Sequence, residues 1–221
     1  QFPSDEDDSG NYSDEDDDDI SIMCEDNLTQ NPRILSRDQM KKLQNSMPAS
    51  VQLMAWSRSY SLLRDGSNFE TMLHKCKMYN NTLTVIRTVE GDLLGGFADR
   101  PWFKQKPNGV LQRSRSFYGT GECFLFASNP EGSGETDDIQ VYNWTGDNTY
   151  SQVCDPNEGT LAMGGGGSFG WIIEDNFSRG TTGRSSTFNN PPLLKGAPGG
   201  TFEVLDIEIY GFKTMSELFM S

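Results

Sequence analysis

Hydrophobic positions along this chain change period once, near residue 80. Before it they recur at helical spacing; after it they alternate, or run in short apolar blocks between glycine-rich turns. Met40, Leu43 and Met47 fall on one helical face. Ser36 opens that helix, with Gln39 three residues on as a capping box, and Pro48 closes it. Residues 51–59 read as a strand with Trp56 as a core candidate. Ser67 and Glu70 form a second capping box, before a helix that carries Phe69, Met72, Leu73 and Cys76 on one stripe. His74 points off that stripe and reads as an exposed helix residue rather than a catalytic one.

From Thr82 the pattern is that of strands. Residues 82–89 alternate, turn at Glu90-Gly91-Asp92, and return as residues 93–98, a hairpin signal. Residues 104–115 hold Lys104, Lys106, Arg113 and Arg115 and read as a solvated loop, with an acidic partner as the alternative. Residues 119–126 pass from a Gly-rich turn into an apolar strand. That turn is no phosphate loop, because neither a helix nor a Gly-Lys-Ser/Thr follows it. Further strands are expected at 139–144 and 150–153. Four consecutive glycines follow, Gly164, Gly165, Gly166 and Gly167, at a high cost in backbone entropy. Such a run implies positive φ or close backbone approach. Residues 169–173 are apolar, Glu174 and Asp175 close them, and a glycine- and hydroxyl-rich loop runs on to a double proline. Residues 201–212 suggest a buried strand interrupted by Glu203, Asp206 and Glu208. The expected class is α+β and mainly β, a two-sheet antiparallel β-sandwich flanked by a few helices.

Composition changes this picture in three ways. Residues 1–26 carry twelve of the 32 Asp and Glu and no Lys or Arg, so the net charge of -14 belongs largely to that stretch. The remainder is near neutral, which argues against nucleic-acid binding. The expected layout is an acidic disordered tail over 1–31 and a domain over 32–221. Ser4 and Ser13 precede acidic runs and suit an acidophilic kinase. Cys24, Cys76, Cys123 and Cys154 are scattered without a CxxC and read as free thiols. A single histidine removes most His-based triads and zinc sites. No run is long enough to cross a bilayer as a helix. The chain begins on Gln1, which reads as a piece or processed form of a longer protein.

Several blocks occur in a familiar order. They are FADRPW (97–102), FYGTGECFLF (117–126), VYNWTGDN (141–148), LAMGGGGSFGWIIEDNFSRG (161–180), STFNNPPL (186–193) and IEIYGF (207–212). Together they resemble the TLDc domain of the oxidation-resistance proteins, over about residues 34–213. The resemblance implies a β-sandwich flanked by helices and protection against oxidative stress. It also implies binding to the vacuolar proton-pumping ATPase, with an influence on that pump's assembly. It brings no agreed catalytic mechanism. Ser185 stands where the family often has a Cys, which weakens a thiol-scavenging role, and Tyr210 replaces the family's Trp.

Glu122, Glu174, Asp175 and Glu208 are the carboxylates inside these blocks. They either lie together at a sheet end, as general acids or as a partner-docking face, or brace the glycine loops through backbone N–H groups. Bracing is favoured for Glu122 and Glu208, with Arg or amides close by. No cofactor or metal is implied, since Glu174-Asp175 lacks regular calcium-ligand spacing. The functional expectation is a non-enzymatic, monomeric interaction module, cytoplasmic and peripheral on acidic-organelle membranes. Mitochondrial and nuclear locations remain open. The alternative is a peroxide-responsive enzyme or antioxidant scavenger. Deleting residues 1–31 is expected to leave the thermal midpoint within roughly 5 °C, about 1 kcal/mol. A larger drop on a melting curve would show that the tail packs.

Overall fold

The computed structural model describes residues 32–103, 116–128, 138–194 and 200–218. The capping box at Ser36 forms as expected. Gln39 N–H donates to Ser36 Oγ at 3.2 Å and Ser36 N–H to Gln39 Oε1 at 3.0 Å, opening α1 (Arg37–Ser46) with Met40 and Leu43 buried. Pro48 ends this helix but starts another turn. Val51 and Gln52 donate back to Pro48 O at 2.8 and 3.2 Å, giving α2 (Ala49–Gln52) where a strand was expected. Proline supplies a helix-compatible φ and no N–H at a position that needs none. The strand β1 therefore runs Ala55–Ser61. After the short α3 (Leu62–Asp65), α4 (Phe69–Cys76) is capped by Asn68, whose side chain accepts Thr71 N–H at 2.8 Å. Ser67, expected in that role, is not the cap. His74 lies exposed on α4.

The hairpin of β2 (Thr82–Thr88) and β3 (Leu93–Ala98) closes through Thr88 N–H to Asp92 O at 3.0 Å. Then come β4 (Phe124–Ser128), β5 (Ile139–Asn143), β6 (Gln152–Asp155), β7 (Thr160–Met163) and β8 (Trp171–Glu174). β9 (Arg179–Thr182) lies inside the stretch expected to be a loop. Its Arg-Gly-Thr-Thr sequence has little apolar signal, and ladders to β8 and β10 hold it. β10 runs Thr201–Lys213, and α5 (Met215–Leu218) follows.

The mainly-β, antiparallel expectation holds. Among the described residues the strands join into one sheet in the order β5-β4-β3-β2-β10-β9-β8-β7-β6, with β1 also on β10. β10 links two wings. Its first residues pair with β9, residues from Val204 on pair with β2, and those from Glu208 on also pair with β1. Alternate residues then serve different layers. Ile86, Leu94, Leu125, Ile207 and Ile209 join Leu161, Met163, Trp171 and Ile173 of the other wing in one apolar cluster. Val85, Phe97, Phe124, Phe126, Tyr210 and Phe212 face the opposite way, under Ile34, Leu35 and α1. The wings approach closely: a Cβ on Gly96 would lie 2.8 Å from Met163 Sδ.

Glu208 lies within this second face and is fully buried. Its carboxylate bonds the Arg58 guanidinium and accepts Ile34 N–H at 3.0 Å and Tyr210 O–H at 2.7 Å. The arginine and amide expected beside a buried carboxylate are thus present, but they hold the segment before α1, not a glycine loop. Arg58 also donates to Pro32 O at 3.3 Å, and Arg87 to Ile34 O at 2.8 Å. Arg58→Met leaves Glu208 buried without its cation and is expected to cost about 3–5 kcal/mol in urea unfolding, partly recovered by adding Glu208→Gln.

Candidate functional site

Five of the six sequence blocks meet at one end of the second wing, formed by β6–β9, and the sixth lies in β10. The centre of that end is Thr187. The Thr187 hydroxyl donates to Asn148 Oδ1 at 2.7 Å and accepts Gly165 N–H at 3.1 Å. Thr145 N–H donates to Thr187 O at 2.9 Å, and Ser186 N–H to Gly165 O at 3.0 Å. Asn148 Nδ2 donates to Ser186 Oγ at 2.9 Å, and Trp144 Nε1 to Asn148 O at 2.6 Å. Three loops, 144–151, 164–170 and 183–190, are therefore tied into one unit. Short hydroxyl and amide side chains suit this work, because they reach main-chain groups that no ladder satisfies.

The glycine run meets its expectation. Gly164, Gly166 and Gly167 have φ of 82°, 75° and 147°. Gly165 does not, but a Cβ there would lie 2.7 Å from Tyr150 Cβ and 3.0 Å from Phe117 Cζ. The run passes between loops with no room for side chains.

A fourth loop, 117–123, joins through Asp99. The buried Asp99 carboxylate accepts Thr120 N–H at 3.0 Å, the Thr120 hydroxyl, and the Cys123 S–H at 3.2 Å. Ser151 Oγ donates to Thr120 O at 3.2 Å. Asp99 is the loop-bracing carboxylate that the sequence reading missed. Its signal was a carboxylate at the end of a strand, facing a glycine-rich turn that needs acceptors. Glu122, favoured for bracing, is exposed. Outward-facing rings surround the unit. Phe103, Trp144 and Tyr150 are 46%, 37% and 43% exposed. Phe117 lies against Tyr150 and Phe169, with centroids 4.8 and 5.9 Å apart.

Glu174 and Asp175 occupy the other end of β8. The glycine run enters β8 at Trp171, whereas Glu174 leaves it roughly 10 Å further on, at about 3.3 Å per residue. Bracing of the glycine loop, the alternative to docking for these two residues, does not fit the direction of β8. Nor do the four carboxylates share a face, since Glu208 is buried beneath residues 32–35. Glu174 is half-buried and stands opposite Arg179 in the ladder. Asp175 is exposed and begins three left-handed residues, Asp175, Asn176 and Phe177, at φ 51°, 52° and 68°. Each such conformation costs on the order of 1–3 kcal/mol. Phe177 anchors the turn: it is buried and stacks on Phe69 at 5.2 Å with an 8° interplanar angle.

Cys76, Cys123 and Cys154 are all buried, and burial pushes each thiol up to about 12. Burial thus holds each as thiol at neutral pH rather than as thiolate, the form that reacts with peroxide. Asp155 adds to the shift at Cys154, and Asp99 to that at Cys123. Among the described residues no cluster of three His, Cys, Asp or Glu is placed to hold a metal ion. No described helix is long and apolar enough to cross a membrane. Cys24, Ser4, Ser13 and the basic residues 104–115 lie outside the described residues.

Gly166→Ala forces a Cβ onto Ser186 Oγ at positive φ, and Gly165→Val drives methyls into Tyr150 and Phe117. Each is expected to lower stability by on the order of 1–3 kcal/mol, read by thermal or urea unfolding.

The family model described as the TLDc domain matches residues 28–213. Human nuclear receptor coactivator 7 is 29% identical over 202 residues, which cover 91% of this chain and 19% of that protein. Human oxidation resistance protein 1 is 30% identical over 189 residues, covering 85% of this chain and 19% of that protein. Oxidation resistance protein 1 of Kluyveromyces lactis is 30% identical over 203 residues, covering 80% of this chain and 75% of that protein. The chain thus spans about a fifth of the two human relatives and most of the yeast one. The aligned span takes in the tied loops, β10 and the helices before them, so this chain belongs to the TLDc domain family.

Proposed function

We propose that this TLDc domain is a non-enzymatic interaction module that docks on the vacuolar proton-pumping ATPase and regulates its assembly or activity. In that role it contributes to oxidative-stress resistance. One observation carries the non-enzymatic part. At the convergent end of the domain most polar groups are engaged with one another and with main chain, Ser185 Oγ and Asn190 Oδ1 being buried exceptions, while aromatic rings face outward. That arrangement suits a rigid presenting surface better than a reaction centre, which needs a poised acid, base or nucleophile. The ATPase as partner is supported by the family resemblance, and the stress role by the names of the oxidation-resistance relatives. The alternative, a thiol-based scavenger, is disfavoured by three buried thiols pushed up to about 12. The module acts as a monomer from the cytoplasmic face of acidic organelles.

Glu174 and Asp175 are the charged groups best placed for docking, because the anchored left-handed turn fixes their direction. Glu174→Gln with Asp175→Asn removes charge at nearly constant shape. It is expected to leave the melting temperature unchanged and to weaken capture of the purified ATPase peripheral sector about two- to fivefold, more so at low salt. Unchanged capture with an unchanged melt removes these residues from the contact. A quadruple Cys→Ser variant is expected to keep both binding and protection from peroxide; loss of protection alone would favour the scavenger.

A further inference from the structure

Beyond the register shift between Val204 and Asp206, the even-numbered residues of β10 face residues 32–35 and α3, and two of them are buried acids. Asp206 is 3% exposed and Glu208 0%. Two residues apart on one strand, their Cα atoms stand roughly 7 Å from each other on the same face. Glu208 has its cation in Arg58. Asp206 has a different set of partners: it accepts Ile207 N–H at 2.8 Å and Leu63 N–H, from α3, at 3.3 Å. Each acid thus holds the main chain of a neighbouring segment, Glu208 the amide of Ile34 and Asp206 that of Leu63.

The charges around Asp206 come from every packed element. On β1, Arg58 bonds Glu208 and Pro32 O, and the Tyr60 hydroxyl donates to Gly66 O at 2.7 Å. On β2, Arg87 stands opposite Asp206 in the ladder but directs its guanidinium to Ile34 O. On α3, Arg64 pairs with Asp65 at 2.8 Å, and Lys75 of α4 joins that pair at 3.0 Å. Within residues 32–35, the Arg33 charge acts on the Tyr210 hydroxyl. The cations near Asp206 are thus engaged elsewhere, and two acids share the field of Arg58. Like charges in a dry layer favour the uptake of one proton.

We propose that Asp206 and Glu208 form a buried proton-binding site that couples the seating of residues 32–35 and of α3 to pH. This inference stands on the domain's own geometry and does not depend on the identity of the docking partner. Burial, and then the Glu208 charge, push the Asp206 carboxyl up to about 6, against the two amide bonds and Arg58. With Asp206 ionised, its charge opposes that of Glu208 while it holds the Leu63 amide strongly. When Asp206 takes a proton from solvent, the Leu63 amide loses an ionised acceptor. Glu208 then keeps Arg58, Tyr210 and Ile34 without a like charge beside it. Acidification therefore tightens residues 32–35 and loosens α3.

The folded pKa is raised above the ordinary value of 3.8, so the native state binds this proton more tightly than the unfolded chain. The site adds stability at acid pH. That contribution fades as pH rises from about 4 through about 6, and is gone above it.

The test is a titration of the full chain by NMR from about pH 4 to about pH 8, following Asp side-chain carboxyl carbons and backbone amides. Asp206 is expected to titrate near pH 6, with roughly hundredfold tighter proton binding than an ordinary Asp. The Ile34 and Leu63 amides are expected to shift with the same midpoint. In Asp206→Asn both amides should lose that step, and the fall in melting temperature over this window should flatten. An Asp206 midpoint near 4, or Ile34 and Leu63 amides that stay flat through the Asp206 midpoint, would overturn the proposal. If Asp206→Asn does not fold, hydrogen exchange in the wild type decides the matter. After correction for intrinsic rates, Ile34 should gain and Leu63 lose protection below pH 6, and no change in either would overturn it.

Discussion

Everything in this domain depends on the register of β10. This one strand of thirteen residues completes ladders with β1, β2 and β9, and so joins both wings. Ile207 and Ile209 point into the apolar cluster shared by the wings, while Glu208 and Tyr210 point toward residues 32–35. A slip of one residue would exchange the two faces. Glu208 would then enter the apolar cluster without Arg58, at a cost of several kcal/mol. The polar residues in this otherwise apolar strand therefore fix its alignment. A uniformly apolar strand, buried on both faces, would have no comparable preference.

The buried ion pair has a second consequence. A pair such as Arg58–Glu208 adds little net stability compared with apolar replacements, because desolvation offsets attraction. It does make one arrangement of the neighbouring backbone much better than others. Arg58, Glu208 and Arg87 all bond the main chain of residues 32–34 rather than side chains. The start of the domain is thereby positioned over the sheet before α1 begins, and Ile34 and Leu35 complete the cluster beneath α1.

The two ends of the second wing differ in kind. At one end, hydroxyls, amides and glycines lock four loops together and leave aromatic rings outside. At the other, a strained turn is pinned by the Phe177–Phe69 stack and carries Glu174 and Asp175. Both are rigid presentations of side chains, which suits recognition of another macromolecule. Cys76, Cys123 and Cys154 are buried, and His74 stands exposed on α4. In the proposed reading, the functional weight falls on surfaces, and on how residues 32–35 and α3 respond to protons.

Local chemistry made much of this legible. The Ser36–Gln39 box, the helical stripes, the β2–β3 hairpin, the need for positive φ in the glycine run and the ordered blocks of the family all depend on near neighbours in the chain. What the sequence did not reveal depends on residues far apart. Pro48 looked like a stop and also became a start, because the carbonyl before the next turn was free to accept. β9 carried no periodic signal, since its strand state is imposed by β8 and β10. Asp99, not Glu122, braces the 117–123 loop, because the direction of the chain at the end of β3 decides which carboxylate meets the amide. The two acids at 206 and 208 looked like interruptions of a strand. Only the arrival of Arg58 from β1 and of the amides of Ile34 and Leu63 from outside the sheet made them its fixed points. Periodicity and capping are set within a few residues, whereas the partner of a buried charge is set by which strands meet.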